Sequence, residues 1–481
     1  MKERIHIEDV HDHIGEEVTL AGWVHNTRDH GKVTFIDLRD ATGIVQMVSK
    51  SGQDVHETVD DLRREWVIKV TGEVSERPDS MVNKDEPLGD VEITIADITV
   101  LNESETPPID IYEDGYELDE KTRLKYRYLD LRRPRLQTNL RERSQMIKYI
   151  RDFLVDRDFT AVETPLLGKR TPEGARDFVV PDRSDPGTFF ALPQSPQQYK
   201  QLLMAGGIDR YFQIAKCLRD EDARKDRQPE FTQLDLEMSF VDREEVMNLN
   251  ETLLLEIVQE LYPDKTVKAE SFPRLTHKQA LEQYGTDRPD LRENKDDPDE
   301  LAFCWVVDFP FFESAENTED VTVADAEWTF THNPFSRPVP EDREDLVNQE
   351  NIGDITTTQY DIVLNGYEIG GGSIRAHKPE ELQAVLEIIG YNDEEITDRF
   401  GHMLKALACG APPHGGIAWG LDRLVSLLTE EPNIREVMAF PKTREGKDPM
   451  MGAPSEIAES HLDELGLEIA TEESEDTDKN D

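Results

Sequence analysis

The chain has 481 residues, with 103 acidic against 54 basic side chains and a net charge of −49. That length excludes a single ordinary domain and leaves room for two or three. No apolar run approaches a membrane span, and the first residues, MKERIHIEDV, carry charges where a secretory signal needs an apolar stretch, so a soluble cytoplasmic protein with no membrane partner is expected. Cys217, Cys304 and Cys409 are far apart and form no CxxC pair, which argues against a disulfide framework and a thiolate zinc site.

Five strand patterns open the chain: EVTLAGWV, KVTFIDLRD and GIVQMVS within residues 17–49, then WVIKVTGEVSE from Trp66 and VEITIADITVLN ending near residue 102. Turn residues Asp29-His30-Gly31 and Asp40-Ala41-Thr42-Gly43 separate the first three. Five short strands in about a hundred residues predict a small β-barrel, for which the oligonucleotide-binding OB-fold is the natural candidate. A purely structural barrel is the competing reading.

A Pro-containing linker, Glu105-Thr106-Pro107-Pro108, follows, and beyond it a basic island. Residues 121–151 hold Lys121, Arg123, Lys125, Arg127, Arg132, Arg133, Arg135, Arg141, Arg143, Lys148 and Arg151 against only Asp130 and Glu142. Charge alone leaves a solvated helix face and a nucleic-acid contact equally open. The island runs into an amphipathic helix over residues 140–156, with Met146, Ile147, Ile150, Phe153 and Leu154 at helical spacing. The remaining chain alternates strands and helices with many hairpin signals, predicting an α+β domain on a largely antiparallel sheet. It contains neither G-x-G-x-x-G nor GxxxxGK[ST], so neither a Rossmann nor a P-loop site is indicated. The last residues, from Glu468, carry seven acidic side chains and read as a disordered tail. The expected division is residues 1–104 as barrel, 105–135 as linker, 136–465 as catalytic domain and 466–481 as tail.

Three segments carry chemistry. In residues 212–240, the second of two strands puts Gln233, Asp235 and Glu237 on one face and Thr232, Leu234, Leu236 and Met238 on the other. The loop between the strands (Asp222, Arg224, Lys225, Asp226, Arg227) is too polar to pack and suits closing over phosphate. In residues 361–375, Asn365-Gly366 is a strong two-residue hairpin signal. It pairs Leu364 with Tyr367 and Val363 with Glu368, which makes Asp361 and Glu368 diagonal neighbours on one face. Two such carboxylates need a cation, and Mg²⁺ shared with substrate phosphates is the economical one. In residues 415–423, Arg423 falls in the first turn of a helix, where a cation is unfavourable unless an anion binds there.

These segments resemble the three signature motifs of class II aminoacyl-tRNA synthetases: the helix and strand ending at Pro165, the element Leu218-Arg219-Asp220-Glu221, and Gly420-Leu421-Asp422-Arg423. The tracts TPEGARDF, ALPQSPQQYK, RDEDARKDRQPEFTQLD, LNGYEIGGGSIR and MAFPKT, with GWVHNTRDHGKVTFIDLRD in the barrel, are similar to bacterial aspartyl-tRNA synthetases. Two departures stand out. The insertion domain usual in bacterial relatives is absent after Pro289-Asp290-Leu291-Arg292, and Asn333 follows His332 where relatives carry a second histidine.

The resemblance implies a homodimer that activates L-aspartate with ATP and Mg²⁺ and charges tRNA(Asp), with tRNA(Asn) as an open second acceptor. A histidine matching His30 accompanies the relaxed tRNA choice, whereas Ser80 replaces the glycine usually found with it. It implies that Arg219 and Arg423 are catalytic. Arg219, Asp220, Glu221, Gln228, Glu368 and the four residues Gly420, Leu421, Asp422 and Arg423 would bind ATP, and Asp361 with Glu368 would hold the metal. Glu173, Ser195, Gln197 and Asp235 would surround the aspartate ammonium, with Lys200, Arg375, His332 and Arg219 on its carboxylates. Arg28, Phe35 and Gln46 would read the anticodon. Two cations around one carboxylate would favour aspartate over asparagine. The rival readings are an asparaginyl-tRNA synthetase, a non-catalytic tRNA-binding paralogue, and an amide synthetase on the same catalytic fold.

Overall fold

The computed structural model describes residues 4–84, 86–170, 174–317, 323 and 326–470. The chain forms two compact units, Met1–Leu118 with Tyr128–Gln137, and Asp119–Arg127 with Thr138–Asp481.

In the first unit, β1 (Glu17–Asp29), β2 (Val33–Arg39), β3 (Ile44–Lys50), β4 (Val67–Glu76) and β5 (Val91–Asn102) close into a barrel in the order β1-β2-β3-β5-β4. Alternation drives the closure: Val18, Leu20, Ile36, Leu38, Val45, Met47, Ile68, Val70, Ile93 and Ile95 are buried inside. Where β1 crosses β2, a Cβ on Gly22 would sit 2.2 Å from the Arg39 carbonyl oxygen, so only glycine permits the approach. The Asp40 turn forms as the sequence suggests, its carboxylate accepting from the amides of Thr42 at 2.7 Å and Gly43 at 3.2 Å.

The second unit is built on an eight-stranded sheet. Its main elements in chain order are α1 (Pro134–Val155, of which Thr138 onward falls in this unit), β6 (Thr160–Ala161), α2 (Gln197–Ala205), β7 (Arg210–Leu218), β8 (Glu230–Ser239), α3 (Arg243–Leu261), β9 (Arg274–Thr276), β10 (Phe303–Val307), β11 (Tyr360–Leu364), β12 (Tyr367–Ile374), α4 (Pro379–Ile388), α5 (Asp393–Ala408), β13 (His414–Gly420) and α6 (Leu421–Leu428). The strand order is β9-β10-β11-β12-β13-β8-β7-β6, antiparallel throughout its middle, with parallel pairs only at the two edges. A core of Met146, Ile150 and Leu154 from α1, Leu253, Leu254 and Ile257 from α3, Leu424 and Leu428 from α6 and the apolar strand faces holds it together. The helix starts six residues earlier than expected, at Pro134, because proline fits a first helical turn and Leu136 is buried.

The basic island is divided between surface and interior. Lys121, Lys125, Arg141, Lys148 and Arg151 are exposed, but Arg123, Arg127 and Arg133 are buried. Arg123 grips the Glu436 carboxylate with contacts of 3.1 and 2.7 Å, and Arg127 donates to the carbonyls of Arg435, Met438 and Ala439. In the first unit Arg39 and Arg132 share the buried Glu65 carboxylate at 2.8 and 2.6 Å. These cations satisfy carboxylates and orphan carbonyls rather than phosphate. Of the acidic tail, residues 471–481 lie outside the described residues.

Candidate active site

The Asn365-Gly366 turn has the expected form, with φ of +51° and +87°, and it pairs Leu364 with Tyr367 and Val363 with Glu368. A bulge then intervenes, so Asp361 lies opposite Gly371 rather than Gly370. A Cβ on Gly371 would lie 2.7 Å from the Asp361 carboxylate, so glycine leaves that side chain its space. Asp361 and Glu368 nonetheless both line a cleft of about 330 Å³ that also takes in Arg219, Glu221, Gln228, Ser195, Gln197, Lys200, Asp235, His332, Arg375, Gly420, Asp422 and Arg423.

At one end of the cleft four buried charges interlock. The β8 alternation that made Asp235 and Glu237 neighbours places both at 0% exposure. Lys200, from α2, sits 2.6 Å from Asp235 and 3.3 Å from Glu237. Arg375 donates to Glu237 at 2.9 and 3.2 Å and to the Ser373 hydroxyl at 2.9 Å. A Cβ on Gly416 would collide with the Glu237 carboxylate at 2.3 Å, so the glycine makes the pair possible. Burial pushes Asp235 above the usual carboxylate range despite Lys200, whereas for Glu237 the burial is outweighed by Arg375 and Lys200, which hold it below. Without substrate, Lys200 and Arg375 are thus met by two protein carboxylates, Asp235 and Glu237. Glu237 was missed as a site residue although its place on the ionic face of β8 was legible.

Arg219, just past the end of β7, lays its guanidinium on Phe231 at 5.2 Å, and its buried Nε has no partner among the described residues. Glu221 accepts from Arg227 at 3.1 Å, and Gln228 accepts from the Lys442 amide at 2.8 Å. The polar loop is partly packed, contrary to expectation. Ala223 is buried, and the carbonyls of Arg224 and Lys225 accept from the Arg435 guanidinium and the Ile434 amide.

At the other end, burial and then the Asp361 charge push Glu368 up, with Arg423 and His332 opposing. His332 lies 3.5 Å from Asp361; burial would lower its pKa, but the Asp361 contact raises it above the ordinary histidine value. Arg423 is already met by Asp226 at 3.0 Å and donates to the Glu368 carbonyl, so its place at a helix start is offset internally as well as being open to an anion. Asn333 acts as a turn residue, accepting from the Phe335 amide at 3.0 Å and facing Ser336, which in turn meets Ser373 beside Arg375.

Two expected residues stand apart from this cleft: Asp220 is exposed and Leu421 is buried in the core. Glu173 lies outside the described residues. Asp422 borders the cleft, but its carboxylate is spent on the Thr232 amide at 2.7 Å and on Arg143, fastening α6 to β8 and α1. On the barrel, Arg28, Phe35 and Gln46 share one outer face: Arg28 donates to Asp37 at 2.9 Å and Gln46 at 3.1 Å, and Phe35 meets His30 edge-on at 5.6 Å. Among the described residues no group of three or more metal-ligating side chains occurs, and no helix is long and apolar enough to cross a membrane.

Residues 119–444 match the family described as tRNA synthetases class II (D, K and N), and residues 18–101 match the OB-fold nucleic acid binding domain. The chain is 40% identical to an aspartate–tRNA(Asp/Asn) ligase of Rubrobacter xylanophilus, covering 95% of each chain, and 38% identical to one of Dehalococcoides mccartyi, covering 96% of this chain and 98% of the relative. The Rubrobacter alignment runs over 580 positions against 481 residues here, so at least 99 positions of the relative have no counterpart, in keeping with a missing insertion. In fold the chain is similar to asparaginyl-tRNA synthetase from Pyrococcus horikoshii, with a TM-score of 0.73 at 23% identity over 92% of this chain and 99% of that one. It is also similar to a putative aspartyl-tRNA synthetase from Leishmania major, with a TM-score of 0.70 at 22% identity over 92% and 94%. With its catalytic unit, its barrel and nearly its whole length matched, the chain belongs to the class II tRNA synthetases of the D, K and N group, ATP-dependent ligases that carry an OB-fold domain.

Proposed function

We propose that this chain activates L-aspartate with ATP and transfers the aspartyl group to the 3′ end of tRNA(Asp), with tRNA(Asn) as a second acceptor. The observation that carries the reading is a single cleft with the Lys200–Asp235–Glu237–Arg375 cluster at one end and Arg219, Asp361, Glu368 and Arg423 at the other. The cluster suits a zwitterion: the substrate ammonium meets Asp235, and its side-chain carboxylate meets Lys200 and Arg375. Asparagine would offer Lys200 and Arg375 an amide in place of that carboxylate, which ranks the asparaginyl reading second.

The first step needs little acid–base chemistry. The aspartate α-carboxylate is already ionised; it attacks the α-phosphorus and pyrophosphate leaves, so positioning and charge stabilisation do the catalysis. Arg219, whose Nε has no partner among the described residues, bridges the α-phosphate and the amino-acid carboxylate, while Arg423 exchanges Asp226 for the far phosphates. The paired carboxylates Asp361 and Glu368 fit Mg²⁺, which would neutralise phosphate charge there. Glu221 and Gln228 lie where the nucleotide would pass, and Arg28, Phe35 and Gln46 offer a stacking and hydrogen-bonding face for single-stranded bases.

The (Asp/Asn) specificity named for the relatives, together with His30 against Phe35 on that face, supports the relaxed tRNA choice. Parallel charging of tRNA(Asp) and tRNA(Asn) tests it: comparable aspartylation of both is expected, and charging of tRNA(Asp) alone would restrict the proposal. Activation of asparagine in place of aspartate would overturn it. The enzyme is further proposed to be cytoplasmic and homodimeric. Leu166 and Leu167 beyond edge strand β6, and Val179, Val180, Phe189 and Phe190 on a two-stranded ribbon, are exposed apolar residues of the kind a second copy would cover. Light scattering at micromolar concentration should give about twice the 55.1 kDa chain mass, and a monomer mass would sink the idea.

A further inference from the structure

Gln197 and Gln201 lie one turn apart on α2, and both are buried. Gln197 borders the cleft beside Ser195, Lys200 and Asp235, whereas Gln201 is 1% exposed behind it. His414, the first residue of β13, is 0% exposed. The three side chains form a line: the His414 Nδ1 is 2.7 Å from the Pro412 carbonyl, the His414 Nε2 is 3.3 Å from the Gln201 amide nitrogen, and the Gln197 amide nitrogen is 3.0 Å from the Gln201 oxygen.

The polarity of this line follows from its far end. A carbonyl oxygen can only accept, so Nδ1 carries the proton. Burial holds the His414 pKa below the ordinary histidine value, although Glu237 and the Pro412 hydrogen bond oppose the fall and Arg375 and His377 add to it, so the ring is neutral and Nε2, facing the Gln201 amide, accepts. Gln201 must then turn its NH₂ group to the ring and its oxygen to Gln197. Gln197 must in turn donate to Gln201, which leaves the Gln197 oxygen for the cleft.

We infer that Gln201 and His414 are positioning residues of the amino-acid subsite, holding the Gln197 amide with its oxygen toward the cleft as an acceptor for the substrate ammonium. The inference rests on the amino-acid-activation reading above. It gives Gln197 a defined polarity, because an untethered glutamine would present its NH₂ group as readily and oppose an ammonium.

The test is a double-mutant cycle in ATP–pyrophosphate exchange, with Gln201→Met made in the wild type and in Gln197→Ala. In the wild type, KM for aspartate should rise about 10-fold, the value of one hydrogen bond to a charged group, while kcat and KM for ATP stay within about twofold. In the Gln197→Ala background Gln201→Met should change KM for aspartate by less than about twofold, because the partner it acts through is gone. Inhibition by succinate, which is aspartate without its amino group, should be unchanged in both. His414→Asn keeps a donor for Pro412 and removes the acceptor for Gln201, so it should reproduce the KM rise even if Gln201→Met folds poorly. An unchanged KM in both variants, an equal rise in the Gln197→Ala background, or a parallel loss for succinate would overturn the inference. A wild-type enzyme that exchanges with a different amino acid would refute the aspartate reading alone, since the ammonium is common to α-amino acids and the same cycle then reads the inference with that substrate.

Discussion

Replacing Lys200 by methionine separates two roles that the structure gives this residue. Its ammonium is 2% exposed and contacts both Asp235 at 2.6 Å and Glu237 at 3.3 Å. Glu237 keeps both contacts from Arg375, so the uncompensated charge falls on Asp235. Breaking a buried pair from one side costs about 3–5 kcal/mol of stability. The same truncation should cost aspartate activation about 2–5 kcal/mol, a drop of about 30- to 4,000-fold in kcat/KM, with KM for ATP within about threefold. The pH dependence carries a sign. Burial already raises the Asp235 pKa, and losing Lys200 raises it further, so the folded variant binds that proton more tightly than the unfolded chain. The stability deficit is then full above the raised pKa and shrinks as pH falls toward the ordinary carboxylate range. Adding Asp235→Asn should restore the thermal midpoint, because it removes the stranded charge, yet leave aspartate unactivated. Urea melts at pH 5.5 and 8 with exchange kinetics supply the measurements. Wild-type kinetics for aspartate, or a deficit that neither acid nor Asp235→Asn relieves, would refute the reasoning.

Arg219→Ala should abolish aspartate-dependent exchange, since one preorganised donor to developing phosphate charge contributes about 3–4 kcal/mol; exchange within about tenfold of wild type would count against the assignment. Its fold should survive, because the side chain stacks on Phe231 and fills the cleft rather than the core. Glu368→Gln should stabilise the apo protein by about 1–2 °C in Tm by relieving the burial and the Asp361 repulsion that raise this group, while exchange falls at every Mg²⁺ concentration; a lower Tm would contradict that account.

Short-range pattern was enough to read the barrel, whose five strands alternate buried and exposed residues, and the Asn365-Gly366 hairpin, whose turn needs two left-handed residues that only such a pair supplies cheaply. The ionic face of β8 was legible for the same reason, because a strand's period is local. The countercharges were decided elsewhere. Arg123 finds Glu436 across 313 positions, and Arg143 finds Asp422 across 279. A run of arginines therefore reads as a surface until the fold brings its carboxylates to it. The bulge at Ile369 and the line from His414 to Gln201, 213 positions apart, are likewise outcomes of packing. A sequence displays the sign of each charge and the period of each strand, but whether a charge is spent on the protein or left for a ligand depends on what the tertiary structure sets within about 3 Å of it.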